Sequence, residues 1–187
     1  YLDVLDRQSA RLKKLTEDLV EASKATTGNL SVDLQPTDVN VFLGQTTGEY
    51  EERLAAKQLA LCLTPAEGTP RISADGRLLW RVFENLFSNI QKYALPGTRV
   101  YLTCQATDEQ VTIIFRNISA EPLNISADEL MERFVRGDAS RNTEGSGLGL
   151  SIARSLTQLQ HGTFALAVDG DLFKAILIFP RLRDGEG

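Results

Sequence analysis

The chain is poor in several residue types, and each scarcity narrows what it can be. Its 187 residues include two cysteines, Cys62 and Cys104, set far apart in apolar stretches without metal-ligand spacing. Such a pair predicts reduced intracellular thiols and argues against a disulfide framework. A single histidine, His161, excludes a metal site built from several imidazoles. No apolar run approaches the roughly 20 residues of a membrane span, and Tyr1 does not open a signal peptide. Basic residues are in the minority: 20 Lys and Arg face 25 Asp and Glu, a formal net charge of -5. That balance argues against a nucleic-acid module, which carries a basic face. Apolar residues make up 42% of the chain, enough for a core and too many for disorder. The length predicts one compact domain with an appendage.

Residues 1–28 form the appendage. Leu5, Leu12 and Leu19 recur every seven residues, with Gln8, Leu15 and Ala22 as a second seam, and Thr26-Thr27-Gly28 ends the pattern. This a/d spacing predicts a coiled-coil-like helix that pairs with another helix. Because the pattern is already under way at Leu2, the helical region is expected to begin upstream. From Leu30 the periodicity alternates. Strands are expected at Leu30–Leu34, Leu59–Leu63, Arg71–Ser73, Arg99–Ala106, Gln110–Arg116, Gly162–Asp169 and Leu172–Phe179. Helices are expected at Asp38–Lys57, from the N-cap Asp75 to about Ala94, at Ala127–Phe134, and from Gly145–Gly149 to Gln160. The sum is an α+β fold: a two-layer α/β sandwich whose mixed, largely antiparallel sheet carries helices on one face.

Two stretches carry chemistry. In Gly145-Ser146-Gly147-Leu148-Gly149, alternate glycines allow a tight backbone that presents its N–H groups at the start of a helix. That arrangement suits phosphates, although a ligand-free glycine-rich helix entry is the plain alternative. The stretch lacks the Gly-Lys-Ser/Thr ending of a P-loop, and no strand leads directly into it, so a Rossmann site does not fit either. The second stretch is Glu84-Asn85-Leu86-Phe87-Ser88-Asn89-Ile90-Gln91-Lys92-Tyr93. Asn85, Asn89 and Lys92 are spaced i, i+4, i+7 and share a helix face. A carboxamide oxygen can complete a Mg²⁺ shell of phosphate oxygens and water, and an ammonium can meet a phosphate. Taken alone, the stripe could equally be structural. With the polar, arginine-bearing connector between them, the two stretches describe a nucleotide held between a helix and a glycine cradle under a lid.

These residues resemble the ATP-binding catalytic domain of bacterial sensor histidine kinases, a Bergerat-type fold in the superfamily shared with gyrase and a chaperone ATPase. Asn85-x-x-x-Asn89-x-x-Lys92-Tyr93 is similar to the family's N box, and Gly145–Leu150 to its second glycine box. Leu130–Arg141 is similar to the segment that opens the nucleotide lid, and Leu12–Leu19 to the end of the second dimerisation helix. The resemblance implies ATP and Mg²⁺ as cofactors, with Asn89 on the metal. Asn85, Lys92, Arg136 and Arg141 would be catalytic, Asn85 supporting the metal site or polarising a phosphate while the other three reach the phosphates. Tyr93 would flank the base or sugar. Phe134 would pin the lid, and Gly145, Ser146, Gly147, Leu148 and Gly149 would wrap the triphosphate. The family's first glycine box has an Asp for the adenine amino group followed by glycines. Here the strand end reads Asn117-Ile118-Ser119-Ala120-Glu121, so the acceptor oxygen is kept while the charge and glycines are lost. Met131 replaces the aromatic that usually opens the lid segment.

The resemblance divides the chain into residues 1–28, the second helix of an incomplete dimerisation and phosphotransfer hairpin, and residues 29–187, the catalytic domain with its lid at about 118–146. It implies a protein-histidine kinase that phosphorylates a histidine upstream of Tyr1, His161 being misplaced for that role. The partners implied are a response-regulator receiver domain and a second copy joined through the N-terminal helix, with no nucleic acid and no membrane segment in these residues. The setting would be the cytoplasmic portion of a membrane-anchored bacterial protein. Alternatives are an inactive nucleotide-binding module, an ATP hydrolase or a serine kinase. The last two need a carboxylate where Asn85 stands.

Overall fold

A computed structural model describes residues 30–123, 126–136 (132–136 as backbone only) and 148–183, with Asp6, Ser9, Ala10, Leu12, Lys13, Thr16, Glu17, Val20, Ser23 and Lys24. Those N-terminal positions are helical, and Leu12 is 65% exposed. The other seam positions, Leu5, Gln8, Leu15, Leu19 and Ala22, lie outside the described residues.

The domain runs β1 (Gln35–Asp38), α1 (Val39–Ala55), β2 (Ala60–Thr64), β3 (Arg71–Ala74), α2 (Gly76–Tyr93), β4 (Arg99–Ala106), β5 (Gln110–Ile118), α3 (Ala127–Arg136), α4 (Gly149–Leu159), β6 (Thr163–Asp169) and β7 (Leu172–Pro180). Five strands form a sheet in the order β2-β4-β5-β7-β6, in which only the β2–β4 pair is parallel. β1 and β3 make a separate antiparallel ribbon. The mixed, largely antiparallel sheet expected from the sequence is therefore present.

One expected strand moved. Leu30–Leu34 is irregular, and the strand begins at Gln35, where pairing with Ala74 starts. The reason is partnership: β3 has four residues to offer, and the Asp33 N–H is taken by the Asp75 carboxylate at 3.0 Å. Pro36 is tolerated because this ribbon is all edge, so its missing N–H costs no ladder bond. Asp38, expected inside α1, is its N-cap, with Oδ1 accepting from Val41 N at 3.1 Å. Likewise α4 opens at Gly149, after the cap residue Leu148.

Period-two alternation decides which sheet face is covered. In β5, Val111, Ile113, Phe115 and Asn117 are buried while Thr112, Ile114, Arg116 and Ile118 are half-buried. The buried face meets α2: Phe115 stands edge-on to Phe83 at 5.0 Å and to Phe87 at 5.3 Å. Tyr50 of α1 stacks on Phe87 at 4.3 Å, closing the aromatic centre of the core. Trp80 is half-buried and packs against the core, edge-on to Phe42 at 6.1 Å. Cys104 is 3% exposed on the same face as Val100 and Leu102, and burial pushes its thiol up to about 11. Gly170, with φ of 59°, turns the β6–β7 hairpin where an L side chain would be strained.

Candidate functional site

The site is built on α2 and α4, and both ends of that helix pair are tied down. Asp75 caps α2 with Oδ1 accepting from Arg77 N at 3.0 Å and from Leu78 N at 3.4 Å. Its Oδ2 accepts from Asp33 N at 3.0 Å and Arg77 Nη2 at 2.9 Å. Burial alone would raise this carboxyl. The bonds from Arg77, Asp33 and Leu78 outweigh it and hold the group below its ordinary 3.8. The Asp75 N–H donates to Gln160 Oε1 at 3.0 Å, so the start of α2 is joined to the end of α4. Ten residues further along α2 is Asn85, and eleven before Gln160 is Gly149. Both steps span roughly 15 Å at 1.5 Å per residue, so the antiparallel helices meet again at Asn85 and Gly149. They do meet: a methyl on Gly149 would stand 3.3 Å from Asn85 Oδ1.

Asn85 is 9% exposed, and its Nδ2 donates to Arg81 O at 2.9 Å, which leaves Oδ1 turned to the glycine. Asn89 is half-buried and Lys92 exposed. The face therefore grades from buried to open along the helix. Opposite it, α4 begins at Leu148 and Gly149 without a side-chain cap and without an acidic residue in its first turn. A helix start of that kind favours an anion. Glu84, the carboxylate nearest in sequence to Asn85, is held by Arg81 in a 2.7 Å ion pair.

The far end of α2 is stitched to the end of β5. Leu95 N donates to Ile118 O at 2.8 Å, Ala120 N donates to Tyr93 O at 2.8 Å, and Ala94 bridges to Ser119. Asn117, two residues beyond Phe115 on the same sheet face, therefore sits at the level of the last turns of α2, which carry Asn89 and Tyr93. It is 3% exposed, and its Oδ1 is buried with no hydrogen-bond partner among the described residues. A buried acceptor without a donor costs about 1–3 kcal/mol, and such an atom suits a ligand that donates there.

The structure thus brings Asn85, Leu148 and Gly149 together, and places Asn117 beside the turns of Asn89, Lys92 and Tyr93. Phe134 and Arg136 belong to α3, capped by Ser126 Oγ accepting from Glu129 N at 3.2 Å, and this helix packs beside α4. Their side chains lie outside the described residues, as do Arg141, Gly145, Ser146 and Gly147 entirely. His161 is exposed just past the end of α4, with φ of 61°. Among the described residues no cluster of His, Cys, Asp and Glu could hold a metal by itself, so a cation here would rest on carboxamide, ligand and water oxygens. Gln160 was not foreseen as a positioning residue, because a bond across 85 residues leaves no local trace.

Residues 74–182, more than half of the chain, match the family described as histidine kinase-, DNA gyrase B-, and HSP90-like ATPase. One relative is the probable sensor protein PcoS of Escherichia coli, 30% identical over 162 residues, which are 86% of this chain and 34% of that protein. The chain spans about a third of the length of the curated relatives it matches. Among solved structures, full-length ShkA in complex with AMPPNP superposes with a TM-score of 0.79 at 22% identity, over 97% of this chain and 38% of that one. Histidine kinase ThkA in complex with response regulator TrrA superposes with a TM-score of 0.72 at 19% identity, over 99% and 52%. At these identities the likeness is one of fold. With the helix pair, the mixed sheet and the family match in agreement, the chain belongs to the histidine kinase-, DNA gyrase B-, and HSP90-like ATPase family.

Proposed function

We propose that this chain binds Mg-ATP and is the catalytic part of a two-component sensor histidine kinase. In this reading, residues 29–187 are the ATP-binding domain and residues 1–28 a dimerisation helix, with the exposed Leu12 on a seam that a second copy covers. The observation that carries the proposal is the approach of Asn85 Oδ1 to Gly149, which brings the asparagine-bearing helix against the start of the helix that follows the glycine box. Asn117 Oδ1, a buried acceptor with no partner among the described residues, supports it as a place for the amino group of a base. ShkA was crystallised with an ATP analogue and ThkA with a response regulator, which supports the same ligand and partner here.

Each residue then has a task. Asn89 would offer a carboxamide oxygen to the magnesium ion, and Asn85, fixed by its bond to Arg81 O, would hold the neighbouring phosphate or water. The N–H groups at the start of α4, with Gly145, Ser146 and Gly147 before them, receive phosphate oxygens. Lys92, Arg136 and Arg141 offset the remaining charge, while Tyr93 and Phe134 enclose the base and the lid. Magnesium, when bound, would supply charge neutralisation to the phosphates. Phosphoryl transfer needs this positioning and neutralisation more than covalent help. The nucleophile is a neutral imidazole nitrogen of a histidine outside these 187 residues. Its lone pair forms the N–P bond as the bond from the γ-phosphorus to the bridging oxygen breaks, ADP leaves, and the phosphoryl group passes to a receiver aspartate. Hydrolysis is disfavoured because Asn85 cannot take a proton from water and Glu84 is held by Arg81.

Titration with ATP, with and without Mg²⁺, tests the assignment. Asn89→Ala should leave the fold intact and weaken Mg²⁺-dependent ATP binding at least about tenfold, the worth of one ligand oxygen. Equal titrations for the two proteins would remove Asn89 from the site.

A further inference from the structure

We infer that the outer face of the sheet, turned away from the helices, docks an acidic segment of a partner protein. Carboxylates of that segment would sit on Arg99, Arg116 and Lys174, and an apolar side chain beside Tyr101. Register puts these residues side by side. Arg116 of β5 stands directly opposite Lys174 of β7 on one side and Tyr101 of β4 on the other. Arg99 is two residues before Tyr101 and so shares its face. Directly opposed side chains have Cβ atoms about 5 Å apart, and like charges there destabilise a sheet. The fold offers them no relief: among the described residues, Arg99, Arg116 and Lys174 have no ion pair and no side-chain hydrogen bond. Asp169, which ends β6 on this face, is not paired with Lys174.

The Arg116 guanidinium lies over the Tyr101 ring, 5.5 Å from its centroid, and its Nε is buried with no hydrogen-bond partner among the described residues. Two opposed cations are thus kept at a cost to the fold, in a chain whose net charge is -5. A local rule broken without return inside the fold is expected where residues serve an outside ligand. Charge complementarity names an acidic occupant, and the surroundings say of which kind. Next to the cations the face is apolar: Ile114 is opposite Ile176, and both are half-buried. Beside Tyr101, which is 39% exposed, a hollow of about 570 Å³ opens between Gln58, Thr98, Arg99 and Ile118. Such a volume suits a bulky group and is far more than an inorganic anion fills. A polypeptide carrying both carboxylates and apolar side chains meets both features, whereas a phosphate meets only the first.

The test is fluorescence anisotropy of a labelled Glu–Tyr copolymer titrated with the full chain, with unlabelled competitors. The copolymer should bind saturably and more weakly as salt rises. Poly-glutamate, inorganic tripolyphosphate and phosphatidylglycerol vesicles should displace it at least about tenfold less well than unlabelled copolymer. In the double variant Arg116→Gln, Lys174→Gln the copolymer should bind about tenfold more weakly. The urea midpoint of that variant should hold or rise, because the opposed charges are gone. Tyr101→Ser should weaken the copolymer about fivefold and leave poly-glutamate unchanged, and it reports independently if the double variant does not fold. No saturable binding, or binding undiminished in both variants, would overturn the inference. Displacement by tripolyphosphate or vesicles as effective as by copolymer would overturn it too, since the face would then be a general anion patch. ATP titration stays a separate matter, and Lys174→Gln should leave it unchanged.

Discussion

Gly149→Ala sets helix propensity against the closeness of two helices, and the two effects appear in different measurements. The added methyl would lie 3.3 Å from Asn85 Oδ1, 3.9 Å from its Cγ and 4.0 Å from its Cβ. The first contact is tighter than carbon and oxygen comfortably take, so the carboxamide must yield by a few tenths of an ångström. What resists is its 2.9 Å bond to Arg81 O, worth about 1 kcal/mol. Against that, alanine in place of a helical glycine returns up to about 1 kcal/mol. The terms nearly cancel, so the melting temperature should move by no more than about 4 °C for a chain of this size. Nucleotide binding has no such compensation. The methyl displaces the group proposed to hold phosphate and blocks close approach at the helix start, so ATP affinity should fall roughly tenfold to a hundredfold, the worth of one charge-assisted hydrogen bond. Thermal unfolding and ATP titration on the same preparation separate the two. An unchanged ATP affinity with an unchanged melting temperature would refute the idea that Asn85 and Gly149 share a phosphate site.

Two further substitutions test the framework that positions the cleft. Gly162→Ala places a methyl 2.6 Å and 2.8 Å from two ring carbons of the fully buried Phe179 and 2.9 Å from Thr157 Cγ2. No flexible side chain can yield there, so a loss of about 3 kcal/mol is expected from the urea midpoint, and a loss under 0.5 kcal/mol would contradict the packing. Asp75→Ala removes the α2 cap and strands the Asp33 N–H, which should cost about 2–3 kcal/mol at pH 7. Because the folded carboxyl titrates below its ordinary 3.8, its contribution is present above that value and is lost as pH falls through the lower folded one. The gap between wild type and variant in urea titrations should therefore narrow on acidification from pH 5 toward pH 2. A gap that stays constant would mean the carboxylate charge contributes nothing.

Much of the frame was legible because it is written in short-range code. β4 came out at Arg99–Ala106 as read, since alternation is local. Asp75 was recognisable as a cap from its place before an apolar-periodic run, and Asn85 and Asn89 declared a shared face through spacing alone. Leu30–Leu34 misled because apolar alternation says nothing about whether a strand partner exists.

What the sequence determined by itself is the inventory: which residues can bind phosphate, metal or base, and on which elements they stand. The tertiary structure alone decided their meeting, because a 3.0 Å bond between Asp75 and Gln160 and a glycine lying against Asn85 join positions more than sixty residues apart. It also decided that Asn117 Oδ1 is buried without a partner among the described residues, since that depends on every neighbour around it. Local rules act over one turn of helix or one pleat of strand, whereas a cleft exists only once the core has closed.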